Sequence, residues 1–283
     1  TRRHRLDDIL VITLCAVICG TDSFEEIVRF GRSRHAWLKR FLALPHGILS
    51  SDTFNRVLAA LDRGNFAACF GRWMAELCVQ AGLRPIAVDG KAGRAAAGDT
   101  FSGCLHLVSA WATENRLVLG QVAVADGSNE IAAIPGLLRL LDLHGALVTI
   151  DAAGCQKEIA RQIRQQGGDY HLAVNCHQPA LEEAVRAVFE QAAEADFAGG
   201  RTVTTIDDGH SRHEQRCVTV LPAPADLPVG WPDVAAVVMV GRERAVKGRS
   251  TSTAHDFIAS LRCSAVKLAG YVRGHWGVEN GLH

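Results

Sequence analysis

Short apolar runs alternate with helical segments along the chain from residue 84 onward. The first run, Ile86–Val88, ends on Asp89, and such alternation is typical of strands that are connected through helices. The order of elements therefore predicts an α/β fold in which helices flank a mixed sheet. After the first strand we expect, in chain order, a β-hairpin around "ATENR", a helix from about residue 131, a strand at 146–150, a helix at 155–167, a strand at 170–175 and a helix at 179–195.

The part before residue 84 has a different pattern, in which apolar positions follow helical spacing. The first helical segment closes on Gly20, a typical residue just after a helix C-terminus. Ser23 and Glu26 fit a capping box, and Ser51 fits the N-cap of a later helix. The sequence therefore predicts an N-terminal all-helical domain over residues 1–83.

The second predicted domain, 84–283, contains a segment with strand patterns and no long helix between them. This segment, at about residues 200–246, includes the runs "RTVTTI", "EQRCVTVL" and "VAAVVMVG" and predicts a β-rich insertion. From Ser252 or Thr253 to the end, the pattern predicts helix again.

The composition is that of a globular, non-membrane chain. Hydrophobic residues make up 48%, and the 30 basic residues balance the 30 acidic ones. This balance does not exclude nucleic acid as a partner, because local clustering of charge decides that question. The longest apolar run near the start, "ILVITLCAVIC", is 11 residues long, whereas a spanning helix needs about 20. We therefore expect a cytoplasmic protein. The ends of the chain suggest a piece of a longer reading frame.

Nine cysteines are present, and none of them forms a C-x-x-C pair. Their number is odd, and most lie within apolar runs. We therefore expect small buried hydrophobic residues in a reducing compartment rather than disulfides or zinc ligands. His210 and His213, with Glu214, have no fourth ligand at a recognisable spacing for zinc.

Three acids are candidates for catalysis: Asp89, Asp151 and Glu279. The first two follow apolar strands, and active groups of open α/β sheets gather at such strand ends. Carboxylate oxygens suit Mg²⁺ or Mn²⁺, and two such ions together promote phosphodiester chemistry. The alternative is ordinary: acids after strands often cap helices or lie in loops, and a Glu on a terminal helix is often solvated.

Basic residues form candidate DNA contacts, each with an ordinary alternative of charge balance or solvation. Lys91 and Arg94 follow Asp89 closely, and the segment 29–40 has five basic residues and no acidic ones. The Gly-flanked segment "GRERAVKGRS" predicts a basic DNA-contact loop that includes Arg242, Arg244, Lys247 and Arg249.

The last predicted helix carries further candidates. Arg273 is a candidate for a phosphate contact. His275 precedes Glu279 by four residues, so the two share a helix face. His275 contacts a phosphate, orients a metal-bound water or packs under the sheet. Trp276 either belongs to the core or stacks on a base. For Asn129 and Glu130 we favour a helix cap over a catalytic role.

Five motifs together resemble the DDE-type transposases of bacterial insertion sequences, in the branch of the H-repeat-associated proteins. These are "IAVDGKAGR", "VADGSNEIAAIP", "VTIDAAGCQKEIA", "DDGHSRHEQR" and "RGHWGVENGLH". The helical start also resembles the N-terminal domain associated with that family. Two departures are visible: Gly127 stands where a Lys usually precedes the "SNE" segment, and the family continues beyond "ENGLH".

The resemblance implies an RNase H-like catalytic core with a β-rich insertion between the second and third acids. Asp89, Asp151 and Glu279 match the catalytic acids of the family. They imply Mg²⁺ or Mn²⁺, as two ions, and double-stranded DNA as partner, both as inverted-repeat ends and as target. A homodimer is expected in the DNA complex, because two ends must be brought together.

The function predicted is DNA transposition, in which insertion-sequence ends are cut and rejoined by hydrolysis and strand transfer. One alternative is a catalytically inactive DNA-binding remnant of a truncated transposase gene. Another is a nuclease of the same fold that hydrolyses DNA and never joins ends. ATP-binding, dinucleotide-binding and serine-hydrolase motifs are absent from the sequence.

Overall fold

The computed structural model describes residues 4–81, 85–92, 106–114, 117–125, 127–209, 212–225, 227, 230–246 and 249–277. The chain divides into two compact units, Thr1–Phe66 and Ala67–His283. This division falls within a helix, and the sequence-based boundary at residues 83 and 84 stays a prediction. No helix of the described ranges has the length and apolar character needed to cross a bilayer.

The described part of the first unit consists of helices and the turns between them. In chain order the helices are α1 (Leu6–Ile18), α2 (Phe24–Ser33), α3 (His35–Leu38) and α4 (Ser51–Ala59), and α5 (Arg63–Ala81) begins here and continues into the second unit. Their apolar faces bury a small core that includes Ile12, Leu38 and Phe54. Burial of these faces supplies most of the stability that short helices lack by themselves.

The local signals that end α1 and start α2 act as the sequence predicts. Gly20 has a positive φ of +86°, and its N–H donates to the carbonyl of Val17 at 2.9 Å. The hydroxyl of Ser23 accepts the N–H of Glu26 at 3.3 Å, which confirms the cap. The Glu26 carboxylate accepts the N–H of Asp22, one residue before the cap. For α4, however, the cap is Ser50 rather than Ser51.

The second unit is built on a nine-stranded mixed sheet with the order β3-β2-β1-β4-β5-β9-β8-β7-β6. Strand β1 pairs in parallel with β4, and β4 pairs in parallel with β5, whereas the other neighbours are antiparallel. The predicted mixed α/β architecture is therefore confirmed. The strands are β1 (Pro85–Ala92), β2 (His106–Ala112), β3 (Leu117–Ala123), β4 (Leu147–Ile150), β5 (Asp169–Val174), β6 (Arg201–Gly209), β7 (Arg212–Pro222), β8 (Ala236–Val246) and β9 (Arg249–Ala259).

Helices cover both faces of this sheet: α6 (Glu130–Leu138), α7 (Lys157–Gln165), α8 (Pro179–Glu194) and α9 (Ala265–Trp276). Side chains alternate between the two faces of a strand, so Val88 and Ile150 join the core beneath α6, α7 and α8. On the other face, Leu268 and Val272 of α9 pack against a second cluster that includes Phe257. The residues that alternate with Val88 and Ile150 therefore lie on the face of the sheet that α9 covers.

The helix expected from Ser252 or Thr253 is wrong, because these residues lie in β9. Strand β9 pairs with β8 along its whole length and with β5 through His171–Val174. The next helix begins at Ala265, where the Ser264 hydroxyl accepts the N–H of Lys267. Pairing on both sides decides the conformation of this Ser/Thr-rich segment, which resembles a helix start in isolation.

The expected burial of the cysteines is mostly wrong. Seven described cysteines are free thiols, and of these Cys155 alone is buried. Cys15, Cys217 and Cys263 are half-buried, and Cys19, Cys69 and Cys176 are exposed. For Cys155, burial first and the nearby Asp151 carboxylate second raise the thiol pKa to about 12. The thiol of Cys155 therefore stays protonated and packs as a small apolar group.

Candidate active site

Asp89 and Asp151 lie side by side because of the register of two parallel strands. Val88 of β1 is the partner of Ile150 of β4, and each acid is the next residue in its own chain segment. Strand β4 ends at Ile150, whereas β1 continues through Asp89 to Ala92, paired with β2 alone. Asp89 thus lies within its strand rather than at its end. The parallel ladder stops at the level of the two acids.

The two carboxylates are half-buried, and each accepts a backbone N–H that fixes its orientation. Asp89 Oδ1 accepts the N–H of Gly90 at 2.9 Å, and Asp151 Oδ1 accepts the N–H of Gly154 at 3.1 Å. The apolar residues Val88 and Ile150 anchor the strands beneath them. Carboxylates held on a rigid strand, as Asp89 is, or directly after one, as Asp151 is, have the preorganisation that a metal site requires.

A cavity of about 300 Å³ opens beside both acids on the α9 face. Strands β1, β4, β5 and β9 and the last turn of α9 form its walls. The lining combines carboxylates with imidazole and aromatic rings: Asp89, Thr149, Ile150, Asp151, Ala152, His171, Ala173, His255, Phe257, Val272, His275 and Trp276.

His275 joins the last turn of α9 to β4. Its Nδ1 lies 3.0 Å from the hydroxyl of the buried Thr149, two residues before Asp151. This contact favours the structural role among those that the sequence leaves open for His275. Arg273 is exposed on the same helix. Glu279, the third expected acid, lies outside the described residues, so its assignment stays a prediction.

His171 of β5 is a cavity residue that sequence reasoning missed. It is 2% exposed, stacks on Phe257 with ring centroids 4.5 Å apart, and its Nε2 has no hydrogen-bond partner in the part of the chain described. Burial first, and the charge of His275 second, lower its pKa to about 3. His171 is therefore neutral. The available signal was a histidine inside the apolar strand "YHLAVNC".

Glu130 places another carboxylate near the two aspartates. The cap of α6 comes from Asn129, whose side chain accepts the N–H of Ala132 at 3.0 Å, as predicted. Glu130 itself packs against Gly90: a Cβ added to Gly90 would lie 2.1 Å from the Glu130 carboxyl carbon. Asp89, Glu130 and Asp151 line one small pocket between β1 and α6.

The loop conformation expected at 241–250 is wrong, because its described residues belong to the β8–β9 hairpin. The DNA contact expected of this segment stays a prediction. Arg242 lies on β8, where it contacts the Glu214 carboxylate at 2.8 Å and the ring of Trp276. Arg244 is exposed on the same strand, and Lys91 is exposed on β1. The side chain of Arg249 and all of Arg94 and Lys247 lie outside the described residues.

The donor set at Asp89 and Asp151 fits a hard divalent cation, since it consists of carboxylate oxygens beside a polar cavity. Among the described residues, no three His, Cys, Asp or Glu side chains are grouped closely enough to hold a metal ion.

Comparisons with known proteins agree with this architecture. A family model described as "Transposase DDE domain" matches residues 56–283, and one described as "DDE_Tnp_1-associated" matches residues 1–74. The chain belongs to the DDE transposase family, which confirms the resemblance seen in the sequence.

Two relatives cover nearly the whole chain. The "H repeat-associated putative transposase YhhI" of Escherichia coli (strain K12) is 35% identical over 99% of this chain and 76% of its own length. The "Uncharacterized protein in dhlA 3'region" of Xanthobacter autotrophicus is 40% identical over 91% of this chain and 88% of its own. A solved piggyBac transposase synaptic complex with hairpin DNA aligns with 98% of this chain and 59% of that chain, at 9% identity and a TM-score of 0.39. A TM-score this low does not establish a shared fold.

Proposed function

We propose that the chain cuts and rejoins insertion-sequence ends by metal-dependent phosphodiester hydrolysis and strand transfer, with Asp89, Asp151 and Glu279 as its catalytic acids. The observation that carries this proposal is the register of β1 with β4, which brings Asp89 and Asp151 to the same level of the sheet. Membership of the DDE transposase family supports the same reaction class.

In this proposal β1 to β5 form an RNase H-like core, and β6 to β9 form an insertion between the second and third acids. The order β3-β2-β1-β4-β5, with β1, β4 and β5 parallel, supports this assignment. The insertion extends the same sheet through β9. It thereby supplies His255 and Phe257 to the cavity beside the acids.

Asp89 and Asp151 would hold two Mg²⁺ or Mn²⁺ ions, together with Glu279. When bound, such ions supply the charge that activates an attacking oxygen and stabilises the leaving one. The protein itself positions the two carboxylates. The backbone N–H groups of Gly90 and Gly154 orient them, and the strands that precede them fix their place at the edge of the core.

The partner in this proposal is double-stranded DNA, as element ends and as target, bound by a homodimer. Lys91, Arg244 and Arg273 are exposed cations in the second unit and are suited to backbone phosphates. Arg94, Lys247 and Arg249 are proposed for the same role from the sequence. Arg242 and His275 have protein partners, so we propose for them a supporting role near the cavity rather than a primary phosphate contact.

The test is nicking of a plasmid that carries the DNA flanking the coding sequence. Asp89→Asn and Asp151→Asn keep a side-chain oxygen for the N–H of Gly90 or Gly154, so both variants should fold. We expect Mg²⁺-dependent nicking to fall by more than about 100-fold. Loss of a residue that only orients a metal ligand costs up to about 100-fold, and loss of a ligand should cost more. Asp142→Asn is the matched control, because exposed Asp142 also accepts a nearby N–H, that of His144, at 3.0 Å. Undiminished nicking by Asp151→Asn would remove the assignment.

Strand transfer separates transposition from simple hydrolysis. Fragments with pre-cut 3′ ends should become joined to a target plasmid in the presence of Mg²⁺. Nicking without joining would favour a nuclease, and salt-sensitive DNA binding without either reaction would favour the inactive DNA-binding alternative.

A further inference from the structure

A buried carboxylate lies in the insertion, outside the candidate active site. Glu214 of β7 is 0% exposed and forms ion pairs with two arginines, Arg216 of the same strand and Arg242 of β8. The contact with Arg242 measures 2.8 Å. A buried charge of this kind is tolerated when it is paired and hydrogen-bonded, so the two guanidinium groups are held close to this carboxylate.

The two guanidinium groups in turn lie over one aromatic ring. The central carbons of Arg216 and Arg242 are 5.9 Å and 5.7 Å from the ring centroid of Trp276. His255 of β9 meets the same ring edge-to-face at 6.0 Å. Three strands of the insertion therefore surround the last residue of α9. Partly desolvated cation–π contacts of this kind attract and orient the ring.

Without an acid between them, two guanidinium groups over one ring would repel each other. Glu214 lowers this repulsion and sets the plane in which both can approach Trp276. Arg216 and Arg242 are themselves mostly buried, with side chains 15% and 32% exposed. The arrangement is thus a packed cluster rather than a set of surface charges.

The end of α9 is consequently held from two sides. Trp276 is held by the insertion, and the preceding residue, His275, contacts Thr149 of β4 at 3.0 Å. Glu279 follows Trp276 by three residues in the sequence. Any shift of this last turn would move the point from which the chain leaves α9 towards Glu279.

We propose that Glu214 is a positioning residue that acts through Arg216, Arg242 and Trp276 to set the place of Glu279 in the active site. This inference rests on the proposed function, in which Glu279 is the third catalytic acid. It assigns to the insertion a part in assembling the metal site, in addition to any part in DNA contact.

The experiment is a Mn²⁺ titration of the full chain without DNA, followed by the electron paramagnetic resonance signal of free Mn²⁺. Glu214→Gln and Trp276→Leu should each weaken Mn²⁺ binding by about 10- to 100-fold, the range for residues that orient metal ligands. Trp276→Phe keeps an aromatic face for the guanidinium groups and should retain most of the affinity. Asp208→Asn is the matched control, because Asp208 pairs with His213 in the same hairpin and is exposed.

A mutant cycle with Glu279→Gln tests whether Glu214 acts through Glu279. Once Glu279→Gln is present, adding Glu214→Gln or Trp276→Leu should cause no further loss of affinity. Thermal unfolding of each variant identifies any that does not fold, and Trp276→Leu, which keeps the ion pairs, serves if Glu214→Gln is one of these.

The outcomes distinguish the two proposals. If Asp89→Asn and Asp151→Asn leave Mn²⁺ binding unchanged, the proposed metal site fails, and the positioning role fails with it. If those variants weaken binding but folded Glu214→Gln and Trp276→Leu do not, the positioning role alone is overturned. Equal losses with and without Glu279→Gln would overturn it as well, because the effect would then not pass through Glu279.

Discussion

The hydroxyl of Thr149 lies 3.0 Å from Nδ1 of His275 and connects the strand that precedes Asp151 with the helix that precedes Glu279. Thr149 is 3% exposed and His275 is half-buried, so this contact is partly buried. A hydrogen bond between these two elements restricts the ways in which α9 can slide over the sheet. The strand that ends before Asp151 and the helix that ends before Glu279 are in this way linked through their side chains.

Removal of the Thr149 hydroxyl should loosen α9. We expect Thr149→Val to lower the free energy of unfolding by about 1 kcal/mol, the usual net contribution of one hydrogen bond. Thr149→Ser keeps the hydroxyl and should restore protection of α9 amides against hydrogen exchange, although it loses a buried methyl group. Urea denaturation and amide exchange measure the two effects. Equal protection of α9 in both variants would show that the hydroxyl does not hold the helix.

Gly154 should be intolerant of any side chain. An added Cβ would lie 2.3 Å from Cγ2 of Ile150 and 3.1 Å from Cδ1 of Ile134, both core atoms beneath the acids. We expect Gly154→Ala to cost about 1–3 kcal/mol of stability through overpacking. Gly136→Ala, where the nearest atom is 3.8 Å away within α6, is the control and should be neutral or slightly stabilising. Urea denaturation of both variants gives the comparison.

Gly90→Ala should leave the stability of the fold nearly unchanged, but it should displace the Glu130 side chain in the site. The atoms that an added Cβ would meet are the end of the flexible Glu130 side chain, which can rotate away. We expect Gly90→Ala to change the free energy of unfolding by less than about 1 kcal/mol, because just the end of a flexible side chain has to move. If Glu130 supports metal binding, Gly90→Ala and Glu130→Gln should each weaken Mn²⁺ affinity, and their effects should not add. Additive effects would mean that Gly90 acts independently of Glu130.

His171 should make the fold sensitive to acid. In the folded chain its pKa is lowered to about 3 by burial and, second, by the charge of His275, against a usual value of 6.5. Between these two values the unfolded chain binds a proton that the folded chain does not. Stability is therefore unaffected by this group above pH 6.5 and falls as the pH drops towards 3, by up to about 1.4 kcal/mol per pH unit.

Replacement of His171 tests this assignment directly. His171→Phe keeps a ring against Phe257 and should remove this part of the pH dependence, as measured by urea denaturation at several pH values. His177→Phe, an exposed position on the loop before α8, is the control. An unchanged slope in His171→Phe would mean that other groups cause the loss of stability in acid.

Much of the fold follows from patterns that are local in sequence. The strands around Asp89 and Asp151 are apolar runs bounded by polar residues, and Gly20 and Ser23 carry the backbone signals that end and start helices. Strand β9 was beyond such reasoning, because its Ser, Thr, His and Asp residues are stabilised by pairing with β8 and β5 rather than by their own preference.

The candidate site also combines features that local sequence patterns predict with features that they do not. Asp89 and Asp151 are expected to be neighbours if the strands that precede them are parallel. The register of β1 with β4 shows that they are. The cluster of Glu214, Arg242 and Trp276 joins residues from distant parts of the chain, and no spacing in the sequence indicates it. The sequence predicts a cap for Asn129 and Glu130, whereas the contact of Glu130 with Gly90 is a property of the folded chain.

The pairing of β9 with β5 has a consequence for any attempt to shorten the protein. Residues 171–174 of β5 pair with residues 256–259 of β9 on the side away from β4. The insertion therefore covers an edge of β5 that would otherwise be open. An uncovered flank presents a row of unpaired amide and carbonyl groups, which readily recruits strands from other molecules. Excision of β6 to β9 is therefore expected to yield a self-associating product rather than a smaller, well-behaved domain.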